Sequence, residues 1–159
     1  MGHSPAGGGS TPGTARASAR SSFGRPLVQG LVHLHRTLGY ALMFLALANV
    51  AGALSVRQSP AHVGRVVGRS VRFGVLLGGR IVLLIGAGLF VAEGLPASAW
   101  WLWVTILLWA VVELAARRMI FPESELLELG SGTLRPIVVG TTIQLLAIVG
   151  IFVLMKVRP

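Results

Sequence analysis

The sequence predicts an all-α polytopic membrane protein with four transmembrane helices and a short interfacial helix in each of two connections. Of its 159 residues, 53% are hydrophobic and 12% are charged, whereas a soluble domain carries about 25% charged residues. The apolar residues also fall in blocks of roughly 20, the helix length that a hydrocarbon layer ~30 Å thick requires. Together these two observations exclude an ordinary soluble domain.

The N-terminal segment, residues 1–25, is rich in Gly, Ser, Pro, Ala and Arg and contains no acidic residue. Such a composition cannot bury an apolar core, so we predict a disordered basic tail over residues 1–25 and a four-helix transmembrane domain over residues 26–159. The tail lacks the apolar stretch of a secretory signal. Its arginine-rich, acid-free character also resembles an organellar transit peptide, which is a second interpretation.

The four predicted spans are separated by turn signals and marked by interfacial residues. Pro96 lies in a tight turn between the second and third spans, and Pro136 suits the first turn of the fourth helix. Trp100, Trp101 and Trp103 cluster at the start of the third span, as tryptophans do at a membrane surface. The predicted spans are residues 37–56, 73–94, 99–116 and 136–155.

The two longer connections carry opposite charges. In residues 60–72, Arg65, Arg69 and Arg72 recur at i, i+4 and i+7, which places them on one face of a short cationic helix. This pattern predicts contact with anionic lipid headgroups. In residues 122–129, a proline and glutamates open a second short helix. With four spans both connections lie on the same side of the membrane, so the basic connection can contact the acidic one.

The basic residues also predict location and orientation. Seven arginines border the spans on the side of the two longer connections, and four basic residues border them on the other side. The positive-inside bias therefore predicts that both termini lie outside. We expect the membrane to be the inner (plasma) membrane of a prokaryote. The aromatic residues lie in the apolar blocks rather than among the arginines, so the net charge of +9 predicts a bilayer with anionic lipids, and no nucleic acid, as partner.

Two of the four histidines lie in the stretch LVHLHRTLGY, residues 31–40. His33 and His35 point roughly 200° apart on a helix, so they cannot both bind one iron from one face. We interpret them as polar residues at the membrane surface. The alternative is a haem b site that uses His33 or His35, with a second ligand from Met155 at the same membrane side or from a histidine of a second chain. The chain has no cysteine, which excludes disulfides and thiolate metal sites.

Polar residues inside the spans predict a buried cluster in one half of the bilayer. Arg80 lies sixteen residues before Pro96 and Glu113 lies seventeen residues after it, so their depths match within about one residue rise, ~1.5 Å. An unpaired guanidinium in lipid costs ~3 kcal/mol, and we therefore predict that Arg80 pairs with Glu113. The predicted buried polar cluster comprises Asn49, Arg80, Glu113 and Gln144.

Small residues in the second span predict tight helix packing. Gly74 and Gly78 form a small-xxx-small pattern, which lets the backbones of neighbouring membrane helices approach closely.

Three stretches of the chain resemble small four-helix bacterial integral membrane proteins of the copper-resistance-D-like kind. These are LVHLHRTLGY, PASAWWLWVTILLW and VLMKVRP, and the resemblance covers residues 28–159. The HRTLG turn is also similar to the opening of some b-type haem membrane helices. Such families place further histidines on later helices, and the later spans of this chain have none. The resemblance implies a small bacterial membrane protein, with no metal ligand carried over.

The predicted function is that of a small accessory or scaffold subunit, not an enzyme and without a bound cofactor, which associates with itself or with a larger membrane complex. One alternative is a haem- or quinone-handling redox subunit that uses His33 or His35. A second alternative is a small transporter with its site at Arg80 and Glu113.

Overall fold

The fold is taken from a computed structural model that describes residues 12–55 and 59–157, with side chains from residue 26 onward. Helices make up most of the described residues. The described residues contain no strand, so the predicted all-α class is confirmed.

The helices follow one another closely, and two pairs of α-helices are joined by π-helical segments without a break. The elements in chain order are α1 (Pro12–Ala53), α2 (Pro60–Arg69), a π segment (Ser70–Leu77), α3 (Gly78–Ala92), α4 (Trp100–Ala115), a second π segment (Ala116–Ile120), α5 (Phe121–Glu128) and α6 (Leu134–Val157).

Local sequence explains where several helices begin and end. Pro60 opens α2 at a position where the missing N–H costs nothing, and the Ser59 hydroxyl accepts a hydrogen bond from the His62 N–H at 3.4 Å. Gly94 follows α3 with φ of 63°, and Gly130 follows α5 with φ of 79°. Glycine adopts this left-handed backbone without the steric cost of a side chain, so both positions end their helices.

Three helical stretches are long and apolar enough to cross a membrane, namely Pro26–Ala53, Pro60–Ala92 and Leu134–Val157. They cover the predicted first, second and fourth spans almost completely. The regular part of α4 has 16 residues, or ~24 Å, which is shorter than a hydrocarbon layer of ~30 Å. The crossing of the membrane by α4, the predicted third span, therefore remains a prediction, and so does the count of four spans.

The start of α1 differs from the predicted boundary at residue 25. The helix begins at Pro12, so the backbone of residues 12–25 is helical, whereas residues 1–11 of the predicted tail lie outside the described residues. Alanine and arginine in this segment are good helix formers. The prediction of disorder over residues 1–25 rested on their inability to bury an apolar core, and it did not consider the helix preference of single residues.

The long helices pack in the order α3, α1, α6, α4. α4 lies along α6, α6 along α1, and α1 along α3, while α3 and α4 approach each other mainly through long side chains. One side of the bundle is therefore more open than the others. The buried apolar core consists of Ala46, Ala53, Val63, Val67, Val71, Val75, Leu76, Trp109, Val112, Ala116, Ile120, Leu127, Ile137, Ala147 and Ile148.

The contacts between α1 and the 60–92 helix fix the level of one against the other. They pair Gly52 with Val67, Leu42 with Gly78 and His35 with Gly86. In this antiparallel register the end of the predicted second span, residue 94, lies level with about Pro26 of α1, roughly ten residues or ~15 Å from the predicted start of the first span at Thr37. The predicted first span, residues 37–56, and the predicted second span are therefore offset against each other by about ten residues in the structure.

At one end of the bundle, α2 packs directly against α5. A Cβ atom built on Gly64 would lie 3.1 Å from Leu127 Cβ, and one built on Gly68 would lie 2.9 Å from Ser124 Oγ. The missing side chains thus allow the two helices to touch. The two longer connections meet at one end of the molecule, as the sequence predicts.

Candidate functional site

The open side of the bundle is filled by an aromatic side chain of α4. The Trp109 ring lies over Gly79 of α3, where any Cβ atom would overlap the ring. Trp109 is 9% exposed. Further along the same side, the rings of Phe90 and Trp101 meet edge to face with centroids 6.2 Å apart. The absence of a side chain at Gly79 therefore allows the large Trp109 ring to bridge α3 and α4.

The residue after Gly79 forms the predicted ion pair. Arg80 Nε donates a hydrogen bond to Glu113 Oε1 at 3.0 Å, and Arg80 Nη2 lies 2.9 Å from the same oxygen. The predicted contact between Arg80 and Glu113 is confirmed. Arg117 Nη2 donates to the other carboxylate oxygen, Glu113 Oε2, at 3.2 Å. We call these three residues the ion triad, and with two arginines and one glutamate it carries one excess positive charge.

The ion triad faces outward, which corrects part of the predicted buried polar cluster. The side chains of Arg80 and Arg117 are 50% and 63% exposed, and that of Glu113 is 24% exposed. The physical reason is helix geometry. Gly79 occupies the face of α3 that meets Trp109, and the next residue on a helix points roughly 100° away. Arg80 consequently lies at the edge of the bundle rather than inside it.

A shallow groove runs along α4 beside the ion triad, with a volume of about 380 Å³. Its lining residues recur at helical spacing, so they form one stripe on the outer surface of α4. We call this stripe the α4 groove, and it consists of Ile106, Trp109, Ala110, Glu113, Leu114 and Arg117.

The two predicted amide members of the cluster lie inside the bundle, apart from the ion triad. Gln144 is 1% exposed, and its Nε2 donates to the Val112 carbonyl oxygen at 3.0 Å. Asn49 is 5% exposed, and its Nδ2 has no hydrogen-bond partner among the described residues. The four residues predicted as one cluster thus separate into an outward pair, Arg80 and Glu113 of the ion triad, and two inward amides.

His35 has a different environment from the predicted membrane-surface position. Its Nδ1 lies 3.1 Å from the Val82 carbonyl oxygen of α3, and a Cβ atom on Gly86 would lie 3.0 Å from its ring. Half-buried between helices, the ring is an interhelical packing residue. His33 and Met155 are exposed. Within residues 26–55 and 59–157 no group of three or more His, Cys, Asp or Glu side chains is placed to hold a metal.

The arginines of the basic connection contact the acidic connection. Arg65 Nε lies 3.8 Å from Glu128 Oε1, and Arg72 Nη2 lies 4.0 Å from Glu125 Oε1. Arg72 also lies 4.9 Å above the centroid of the Phe121 ring. The predicted meeting of the two connections is therefore confirmed, while contact of these arginines with lipid headgroups stays a prediction.

A scan against protein-family models, a search of curated proteins and a search of solved structures each found no match. The resemblance to copper-resistance-D-like membrane proteins stays a prediction.

Proposed function

We propose that the chain is a small integral membrane subunit, not an enzyme, that acts as an accessory or scaffold by binding a further transmembrane helix in the α4 groove. The partner helix comes from a second copy of the chain or from a larger membrane complex. The observation that carries the proposal is the outward-facing ion triad of Arg80, Glu113 and Arg117.

The ion triad is exposed at a depth in the membrane where a charged side chain is costly. Arg80 lies eight residues beyond Arg72, the last arginine of the basic connection, which corresponds to ~12 Å along a helix. A charged side chain at such a depth costs ~2.5–3.5 kcal/mol on insertion scales, and charged residues in membrane helices almost always face protein or water. A partner helix over the α4 groove supplies the protein environment that Arg80 lacks in the isolated chain.

The shape of the α4 groove also suits a helix. Ala110 lies at its centre, between the apolar side chains of Ile106 and Leu114. A small residue flanked by larger ones lets a neighbouring backbone approach closely, which is how membrane helices associate without a hydrophobic driving force. The excess positive charge of the ion triad favours a partner helix that carries an acidic side chain at the same depth.

Photo-crosslinking in native membranes tests this function. With benzoylphenylalanine at Ala110, we expect a discrete protein adduct, whose mass distinguishes a second copy from a larger complex. The matched control is the same probe at Phe44, which is 65% exposed on α1, diagonally across the bundle from α4. Lipid adducts alone at Ala110, or the same protein adducts at both positions, would contradict the proposal.

The two alternative functions receive less support from the geometry. A transport path between the helices would not meet Arg80 and Glu113, because their pair lies at the outer edge of the bundle. For the redox alternative, the Nδ1 contact of His35 leaves Nε2 for iron, but the ring packs against Gly86 between α1 and α3, and Met155, the suggested second ligand, is exposed.

We also propose that the protein lies in a prokaryotic inner membrane, with both termini outside. The orientation is supported by the arginine excess in the longer connections. The chain has no cysteine, so single cysteines report topology directly. Cysteine at Ser59 or Ser131 is expected to resist an impermeant maleimide in intact cells, and cysteine at Ser98, in the turn at the opposite end, is expected to react. The reverse labelling pattern would show that the orientation is inverted.

A further inference from the structure

A second concave surface lies between α2 and α5, separate from the α4 groove. It is a cleft of about 260 Å³, lined on the α2 side by Arg65, Arg69 and Arg72 and on the α5 side by Glu125 and Glu128. We call it the arginine cleft.

The close approach of α2 and α5 builds the arginine cleft. Gly64 and Gly68 face Leu127 and Ser124 with no side chain between them. Ser124 is 8% exposed, and its hydroxyl donates to the Phe121 carbonyl oxygen at 2.8 Å, so it is satisfied within α5. The floor of the cleft is thus packed, and one wall is formed by Arg65 and Arg69 of α2 together with Arg72 of the following π segment.

The arginines retain unused hydrogen-bond donors. The contacts of Arg65 with Glu128 and of Arg72 with Glu125 measure 3.8 Å and 4.0 Å, longer than the ~2.7–2.9 Å of a charge-assisted hydrogen bond. The Arg69 side chain has neither an ion pair nor a hydrogen bond with any described residue. Each guanidinium carries five N–H donors. Three arginines against two glutamates leave the cleft with one excess positive charge and many free donors.

We propose that the arginine cleft binds a phosphate group, with Arg69 as the central ligand. Guanidinium and phosphate match in planar, bidentate geometry, which makes arginine the residue of choice for this ligand. Arg72 is held above the Phe121 ring at 4.9 Å, a cation–π contact that limits its motion and orients its donors. Glu125 and Glu128 compete with the phosphate oxygens for Arg72 and Arg65, and so set the affinity.

The phosphate belongs either to an anionic lipid headgroup or to a soluble anion. Phe73 also lines the cleft and is 65% exposed at the start of the apolar surface of α3. An acyl chain of a lipid bound in the cleft would run along this surface, which favours the lipid source.

Titration of the full chain in neutral detergent distinguishes these sources. The thermal midpoint is measured against short-chain phosphatidic acid, phosphatidylcholine and inorganic phosphate. We expect phosphatidic acid to raise the midpoint saturably and phosphatidylcholine to leave it unchanged. An equal effect of inorganic phosphate would also support the phosphate site, but would assign it to a soluble ligand. If neither phosphatidic acid nor inorganic phosphate shifted the thermal midpoint, the proposal would be overturned.

Three substitutions make the test specific. Arg69→Gln removes the central ligand and is expected to weaken phosphatidic acid binding by about ten-fold or more. Arg118→Gln is the matched control, because it removes the same charge from an exposed arginine outside the cleft, and it should change affinity less than about two-fold. Glu128→Gln removes a competitor and should tighten binding. Equal losses in Arg69→Gln and Arg118→Gln would show unspecific charge attraction instead of a site. Arg69 is exposed, so its variant should fold, and the midpoint without ligand checks this.

Discussion

Replacement of Gly79 by leucine is expected to destabilise the folded protein by about 1–3 kcal/mol, the usual cost of inserting atoms into a well-packed site. Any Cβ atom at this position would overlap the Trp109 ring, which is 9% exposed and cannot move into lipid without uncovering the core. Thermal unfolding in lipid nanodiscs measures the effect.

Gly88 provides the matched control for this substitution. It lies on the same helix, and a Cβ atom built there meets nothing within 4 Å. Gly88→Leu should therefore be neutral or slightly stabilising, because leucine is a better helix former than glycine. Trp109→Leu added to Gly79→Leu should recover part of the loss by making room. If the substitutions at Gly79 and Gly88 had equal effects, Trp109 would not occupy the space above Gly79.

Glu113→Leu is expected to cost about 2–3 kcal/mol in nanodiscs, because it leaves two arginines without their shared carboxylate near hydrocarbon. The loss should be smaller in Arg80→Leu, since Glu113 retains its hydrogen bond from Arg117 at 3.2 Å. The double variant Arg80→Leu/Glu113→Leu should be more stable than Glu113→Leu alone. Its remaining arginine, Arg117, has a long side chain that can reach the headgroups.

A double-mutant cycle on thermal stability measures this coupling. Glu125→Leu is a useful control, because its side chain is 74% exposed and its distance to Arg72 is 4.0 Å. An exposed ion pair of this kind contributes little to the free energy of unfolding. If the destabilisation of the double variant equalled the sum of the single effects, Arg80 and Glu113 would not interact in the folded state.

Much of the candidate site was predictable, although the direction in which it faces was not. The equal distances of Arg80 and Glu113 from Pro96 predict their contact, because a tight turn fixes the relative depth of two helices. α3 and α4 are apolar on most sides, so hydrophobic periodicity does not indicate which face points outward. The outward direction follows from the packing of Trp109 on Gly79, which depends on tertiary structure. The i, i+4 spacing of Glu113 and Arg117 is visible in the sequence and would have identified the third member.

In the fold, too, the helices were predictable from the sequence, whereas their relative level was not. Apolar composition predicts helices of sufficient length, but the apolar stretch from Pro26 to Ala53 does not show which part of it lies level with α3. Contacts such as that of His35 with Gly86 fix this level. The contact of α2 with α5 had a sequence signal, since Gly64 and Gly68 have the same spacing as Gly74 and Gly78. The meeting of the basic and acidic connections agrees with the predicted count of four spans, which places both connections on the same side of the membrane.

The π segment Ser70–Leu77 determines which partners one continuous helix can have. A π turn contains an additional residue compared with an α turn, and each residue of an α-helix rotates the following faces by roughly 100°. Without that additional residue, the glycine face of α2 and the glycine face of α3 would have a different angular relation. Deletion of one residue from the segment would therefore turn Gly64 and Gly68 away from α5 while leaving Gly79 against Trp109. The π segment thus shifts the helical phase, so that one continuous helix presents glycines to α5 before the segment and to α4 after it.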